Sequence, residues 1–224
     1  MYREYKDIMN DRDLEVVLGE YYDALIFEET PEEWEEVHLQ REAVYRRLAE
    51  TSFRQYGRQW AYALEALVDN RDPASLEYYE KSIAIYERLK REYNEKNINF
   101  TLAESYSSVS SFCDIHEMYE KAIGYNKKAL DLYLISNCDE FDRLYAIGMC
   151  HHKNGEAYIS LGRYAEAKES LTKAVEIYSQ IKTLDKRQRP VDHFGMHIDL
   201  CLRFLKSIQR LETLESQISD FAGR

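Results

Sequence analysis

The residues best equipped for chemistry in this 224-residue chain are its histidines and cysteines. His193, His197 and Cys201 fall at i, i+4 and i+8, so on a helix they lie along one side. Cys150, His151 and His152 form a run that a neighbouring helix pair could bring toward them. Nitrogen and sulfur donors of this kind hold zinc tetrahedrally. His197 and Cys201 fit the packing face of an amphipathic helix equally well, and no ligand pair has the spacing of a zinc module. The acidic first fifty residues, with 15 acidic and 6 basic side chains, are the only stretch that could feed a metal-dependent, phosphatase-like helical enzyme. No GxxxxGKS or GxxxxGKT, GxGxxG, HExxH or GxSxG motif appears. The expected protein is therefore not an enzyme, with no catalytic residue, no bound metal and no cofactor.

The elements that must position these residues are helices. Eight Gly and three Pro are too few for the turns of an all-β fold. Hydrophobic residues at 45% and charged residues at 32% describe a folded chain, not a disordered one. Four segments look alike: Arg41–Leu48, Ser82–Leu89, Ala129–Tyr133 and Ala174–Ile181. Their tyrosines, Tyr45, Tyr86, Tyr133 and Tyr178, are 41, 47 and 45 residues apart. A period in the forties without strand signals predicts stacked helix pairs. Nineteen tyrosines recur mostly on these ladders, where core packing is the plain reading; they also suit a recognition surface, because a tyrosine ring freezes few rotamers on contact.

The clearest unit runs from Gly148 to Ile181. Tyr164, Ala167, Leu171, Ala174, Tyr178 and Ile181 follow one another by 3, 4, 3, 4 and 3 residues, which keeps one helix face apolar. Gly162 sits where a helix needs a residue that accepts positive φ. Gly155 lies inside the preceding helix, where glycine costs about 1 kcal/mol relative to alanine, which predicts a close helix crossing. Gly155, Tyr158, Gly162, Tyr164, Ala167, Leu171 and Ala174 together resemble the tetratricopeptide signature. The departures are His151 in the usual tryptophan position and the lack of a closing proline. The preceding unit matches through Tyr106, Ser110, Tyr119, Ala122 and Ala129. An earlier, degenerate one is marked by Trp60, Ala63, Leu64 and Leu67, then Tyr79, Ser82 and Tyr86.

The resemblance implies an all-α fold, a right-handed α-α superhelix or solenoid of antiparallel helix pairs, here a long-helix variant since the period exceeds 34 residues. It implies a protein- or peptide-binding scaffold or regulatory adaptor working through the concave face. A peptide-responsive sensor related to bacterial signalling-peptide receptors is the alternative. The family's ligand-facing positions fall on Glu104, Ser107, Ser111, Asp114 and Ile115, and on Met149, His152, Glu156, Ile159 and Ser160. They lack the Lys, Asn and Arg that clamp a C-terminal carboxylate, so a mixed or basic peptide with apolar anchors is the expected ligand.

The expected organisation is an acidic N-terminal helical segment, 1–50; helix pairs, 51–182; and a C-terminal capping helix and tail, 183–224. Thr30, Pro31 and Glu33 make an N-cap, first-turn proline and capping box for a helix reaching about Ala49. Asp72 and Pro73 start another that reaches about Tyr93. Lys182–Pro190 reads as a polar loop. Val191, Phe194, Ile198, Cys201, Leu205 and Ile208 read as an amphipathic cap, and Asp220–Arg224 as a frayed tail. The net charge of −11 disfavours nucleic acid. No apolar run approaches a membrane span and the N-terminus has no signal-peptide pattern. Four cysteines without a framework imply reduced thiols in the cytoplasm. Residues 1–50 carry a net −9 and 182–210 a net +4; a solvated surface is the plain reading, and homo-oligomerisation by end-to-end or cap-helix contact is the second hypothesis.

Overall fold

The computed structural model describes residues 31–93, 98–184 and 193–222. Among them are eight α-helices, one short 3-10 helix and no strand. The chain divides into two compact units, Met1–Ser105 and Tyr106–Arg224.

In the first unit α1 (Pro31–Thr51) and α2 (Phe53–Glu65) are separated by Ser52 alone. The α1 end is closed by the Thr51 hydroxyl, which donates to the Leu48 carbonyl at 2.8 Å. Thr30, the expected cap of α1, lies outside the described residues. The Asp72 carboxylate accepts from the Ala74 amide at 2.9 Å, and Pro73 opens a 3-10 turn (Pro73–Ser75) that runs into α3 (Leu76–Tyr93). That is the start and the end expected from Asp72 and Pro73. α1 packs on α2 and α2 on α3. A core of Val44, Tyr45, Leu48 and Ala63 joins the first two. Glu65, near the end of α2, is largely buried, and its carboxylate accepts from the Ser82 and Ser105 hydroxyls at 2.6 Å each. Burial holds that carboxyl above the usual range while the two hydrogen bonds pull it down.

α4 (Ile98–Ile115) spans the division between the units. The second unit continues with α5 (Tyr119–Ile135), α6 (Glu140–Ser160), α7 (Tyr164–Leu184) and α8 (His193–Ala222). Asp139 caps α6 by accepting from the Phe141 amide, and Glu140 and Asp142 add negative charge to its first turn, where the helix dipole favours it. α5, α6, α7 and α8 pack consecutively. The predicted ladder of α7 is the core of this unit: Ala167, Leu171, Ala174, Tyr178 and Ile181 are fully buried, and Phe194, Cys201 and Ile208 of α8 close over it. All four repeat tyrosines, Tyr45, Tyr86, Tyr133 and Tyr178, are buried.

Two helix crossings depend on glycine. A Cβ on Gly155 would stand 2.6 Å from Leu171 Cγ, as the crossing reading requires. A Cβ on Gly148 would stand 3.0 Å from the Tyr178 ring, a second close approach in the same helix pair. Gly162 has φ +70° and ends α6, with the Arg163 amide bonded to the Tyr158 carbonyl and the Gly162 amide to that of Ile159.

Two boundaries differ from expectation. Lys182–Leu184 still belong to α7, because Ile181 is buried and carries the helix through its last turn. The remainder of the supposed loop and Val191 lie outside the described residues. Asp220–Ala222 are helical, the end of a 30-residue α8, and not a frayed tail.

Candidate functional site

α4 and α6 bring most of the expected ligand-facing residues of the second unit together. The Ser107 hydroxyl lies 3.4 Å from the Tyr133 hydroxyl and 3.7 Å from Cys150 Sγ. Asp114 is close enough to α6 to feel Lys153 and Glu156. Its carboxyl is raised by burial and by the Glu156 charge, against the Lys153 charge. Lys153 Nζ in turn sits 3.2 Å from Glu156 Oε2. Ser111 and Ser160 are exposed, Ile115 strongly so, and Ile159 is half-buried against the core. Glu104 is exposed on the part of α4 that belongs to the first unit. Lys153, three residues before Glu156, was not among the expected positions, although its spacing marks it as that glutamate's helical neighbour.

His152 behaves differently from its neighbours. It is 4% exposed, and neither ring nitrogen has a hydrogen-bond partner. Glu156 Oε1 stands 3.8 Å from its Nε2. The ring meets Tyr178 at 6.3 Å and, from α8, His197 at 5.9 Å and Phe204 at 6.3 Å between centroids. His197 stacks on Tyr178 at 5.0 Å, and the Tyr178 hydroxyl donates to Met149 Sδ at 3.1 Å. α8 thus lies over this end of α6. Burial lowers the His152 pKa; Glu156 opposes that shift, and His197 and Lys153 reinforce it. Burial also pushes the Cys150 and Cys201 thiols up to about 11. Among the described residues no three His, Cys, Asp or Glu side chains come together to hold a metal.

A second candidate lies in the first unit, where nothing in the motif directed attention. α1, α2 and α3 enclose a groove of about 520 Å³. Leu39, Phe53, Trp60, Leu64 and Ile85 make it apolar, and Arg46, Lys81 and Arg88 line it as cations. Its one carboxylate, Glu42, accepts from Trp60 Nε1 at 2.8 Å and faces Arg46 at 4.0 Å. The Arg88 guanidinium lies 3.7 Å over the Phe53 ring while its Nε donates to Glu92 at 2.9 Å. Lys81 pairs with Glu77 one turn away. Arg46, Lys81 and Arg88 are about half exposed, and ion pairs so open to solvent are screened and weak, so a bound anion can displace them.

The family model for the tetratricopeptide repeat matches residues 142–181, which hold most of α6 and α7. No curated protein matches the sequence. Two crystal structures of a kinesin light chain-like protein from Podosopora anserina, with nearly identical TPR-like repeats, share the fold. They superpose with TM-scores of 0.57 and 0.56 at 16% and 17% identity, over 95% of this chain and 96% of theirs. The crystal structure of MamA aligns at 15% identity over 79% of this chain and 89% of that one, with a TM-score of 0.35. At these identities the likeness to the two Podosopora anserina structures speaks for the fold alone. Residues 142–181 are a tetratricopeptide repeat, and the chain is an all-α protein of tetratricopeptide-like helix pairs.

Proposed function

We propose that this chain is a non-enzymatic, protein-binding scaffold or adaptor that holds an extended segment of its partner. The observation that carries this reading is the groove of the first unit. An apolar cleft with a few convergent charged groups is the usual form of a binding site. Trp60 and Phe53 supply flat contact area, and Arg46, Lys81 and Arg88 attract negative charge. The matching occupant is a peptide with a bulky apolar side chain flanked by Asp or Glu.

Within the second unit the face made by α4 and α6 supports a second peptide site, with Ser107, Ser111, Asp114, Met149, Glu156 and Ile159 as contacts and His152 beneath. Its carboxylates favour the basic peptide expected from the repeat resemblance. The cytoplasm is the compartment that suits four cysteines that remain thiols.

A panel of labelled peptides with one apolar anchor and acidic, neutral or basic flanks tests both sites by fluorescence anisotropy. Acidic peptides should bind the wild type and lose at least tenfold in affinity in Arg46→Glu with Lys81→Glu. They should be unaffected by Asp114→Lys with Glu156→Lys. Basic peptides that depend on Asp114 and Glu156 would move the principal site to α4 and α6. Failure of every class to bind would sink the peptide-binding reading.

A further inference from the structure

Aromatic residues with an acid directly on each side occur in four places: Glu20-Tyr21-Tyr22-Asp23, Glu33-Trp34-Glu35, Glu77-Tyr78-Tyr79-Glu80 and Glu140-Phe141-Asp142. Three of these are built into helices. Trp34 lies in α1, with its ring 4.3 Å from that of His38. Tyr78 and Tyr79 lie in α3, and Tyr78 is itself part of the groove wall in the first unit. Phe141 opens α6 and meets Phe194 edge-on at 5.6 Å. Only Glu20–Asp23 precedes the first described helix, and it belongs to the same unit as the groove.

The segment is tethered at the right distance. α1 lines the groove from Leu39 to Arg46, which places that wall roughly 12 to 22 Å along the helix from Pro31. The nine residues from Tyr22 to Pro31 can span up to about 30 Å, so the chain reaches the groove by doubling back along α1. The way is open. A polar depression of about 570 Å³, lined by Trp34 and Glu35 of α1 and by Asp69, Arg71 and Asp72, shares Leu67 and Tyr78 with the groove. The groove is therefore continuous with the end of α1 from which residues 1–30 depart.

Charge matches as well. The groove sets three cations, Arg46, Lys81 and Arg88, against the single carboxylate of Glu42, a net +2, and Glu20 with Asp23 brings −2. No Lys or Arg occurs between Asp13 and Gln40, so the segment carries no cation into the site. The acids along the way are engaged: Asp69 pairs with Arg71 at 3.0 Å, and Asp72 caps the turn before α3. Glu28 and Glu29 stay beside the start of α1, where the helix dipole favours acids.

Resting on the reading of this groove as a site for acidic peptides, we propose that Glu20–Asp23 of the same chain is its resident occupant. Tyr21 and Tyr22 lie against Trp60 and Phe53, and Glu20 and Asp23 meet the cations at the rim. A segment on so short a tether competes at an effective concentration on the order of 1 mM. An outside partner therefore binds by displacing it, and only a partner with better anchors succeeds.

The test uses the full chain. Cys138→Ser removes the one cysteine that is not buried, and Ala24→Cys with Leu39→Cys should then form a disulfide on mild oxidation. The product should keep the single-chain mass of 26.6 kDa; a covalent dimer or no disulfide would overturn the proposal. In a Trp34→Phe background Trp60 is the sole tryptophan. Its quenching by acrylamide should rise in Glu20→Lys with Asp23→Lys, and also in Tyr21→Ser with Tyr22→Ser, at unchanged helical circular dichroism. Both variants should bind a labelled peptide copying residues 18–26 roughly tenfold tighter than wild type. Equal quenching and equal affinity would overturn the proposal and leave the groove a peptide site. Raised quenching without binding of any acidic peptide from outside would uphold the resident segment and sink the partner reading.

Discussion

The turns that end α4 and α6 have one geometry and two chemistries. At α6 the Arg163 amide bonds to the Tyr158 carbonyl, and Gly162 takes φ +70°. At α4, 45 residues earlier, the Met118 amide bonds to the Cys113 carbonyl at 2.8 Å, the Glu117 amide bonds to that of Asp114, and Glu117 takes φ +58°. The crossings behind these turns differ in the same way. α6 and α7 meet through Gly155 against Leu171, with no polar atom between. At the matching place α4 offers Ser110, whose hydroxyl donates to the Ala122 carbonyl of α5 at 2.8 Å. The backbone arrangement is thus preserved while the residues that stabilise it change. The pair with glycine at both positions crosses with no Cβ between its helices and without strain at its turn. The other carries a Cβ at each and holds its left-handed turn against the usual cost of about 1–2 kcal/mol.

The largest effect should come from Gly155→Ala. The new methyl meets the branch point of Leu171, so despite alanine's better helix propensity we expect a loss of about 2 kcal/mol in urea unfolding. Adding Leu171→Ala should make the double variant less destabilised than the sum of the two single ones. Ser110→Ala, at the crossing that already houses a Cβ, should lose no more than about 1 kcal/mol. If the two substitutions cost the same, the crossings are not the different objects described above.

The turns come next. Glu117→Gly should raise stability by about 1 kcal/mol, since it removes a left-handed non-glycine residue. Gly162→Ala should lower it by a similar amount. Opposite shifts in melting temperature would check the pair. Gly124 in α5 is a control of smaller size: a Cβ there meets nothing within 4 Å, so Gly124→Ala should add about 0.5–1 kcal/mol through helix propensity alone.

The smallest effect is one of pH. His152 in α6 is lowered from its ordinary value of 6.5, so the unfolded chain takes up the proton first as the medium is acidified. Its neutral, buried form contributes stability above pH 6.5, and that contribution is lost as pH falls below it. Glu156 at 3.8 Å partly offsets the loss. Melting temperature measured from pH 7.5 to 5.5 should fall more steeply for wild type than for His152→Phe. Parallel curves would mean that α8 does not exclude water from this ring.

The residues of the α7 ladder, the crossing at Gly155, the turn at Gly162, the start of α3 at Asp72 and Pro73 and the inward face of α8 could all be read from residue type and spacing. In each case local chemistry leaves one solution. A period near 3.6 marks a buried side, a proline after an aspartate opens a helix, and a mid-helix glycine set within the repeat signature marks a close crossing, whereas Gly124 of α5 faces open space. Glu117 gave no such signal, because nothing in a glutamate announces positive φ; only the pairing of α4 with α5 forces it there. The place of His152 was equally hidden. Its position in the repeat marks a ligand-facing residue, but whether α8 lies over that position depends on where a helix 40 residues later comes to pack. The groove of the first unit arises where three helices with a degenerate motif fail to fill the space between them, which is a property of packing volumes and not of any one residue.

The sequence by itself determined that this chain is helical, that its helices come in pairs about 45 residues apart, and which side of each faces inward, because periodicity and turn chemistry act within a few residues of one another. Tertiary structure alone decided which side chains stand open to a partner: His152 buried, Trp60 at the edge of a cationic groove, and a second apolar stripe left bare on α8. Exposure is set by residues far apart in the chain, and those distances carry no local signature.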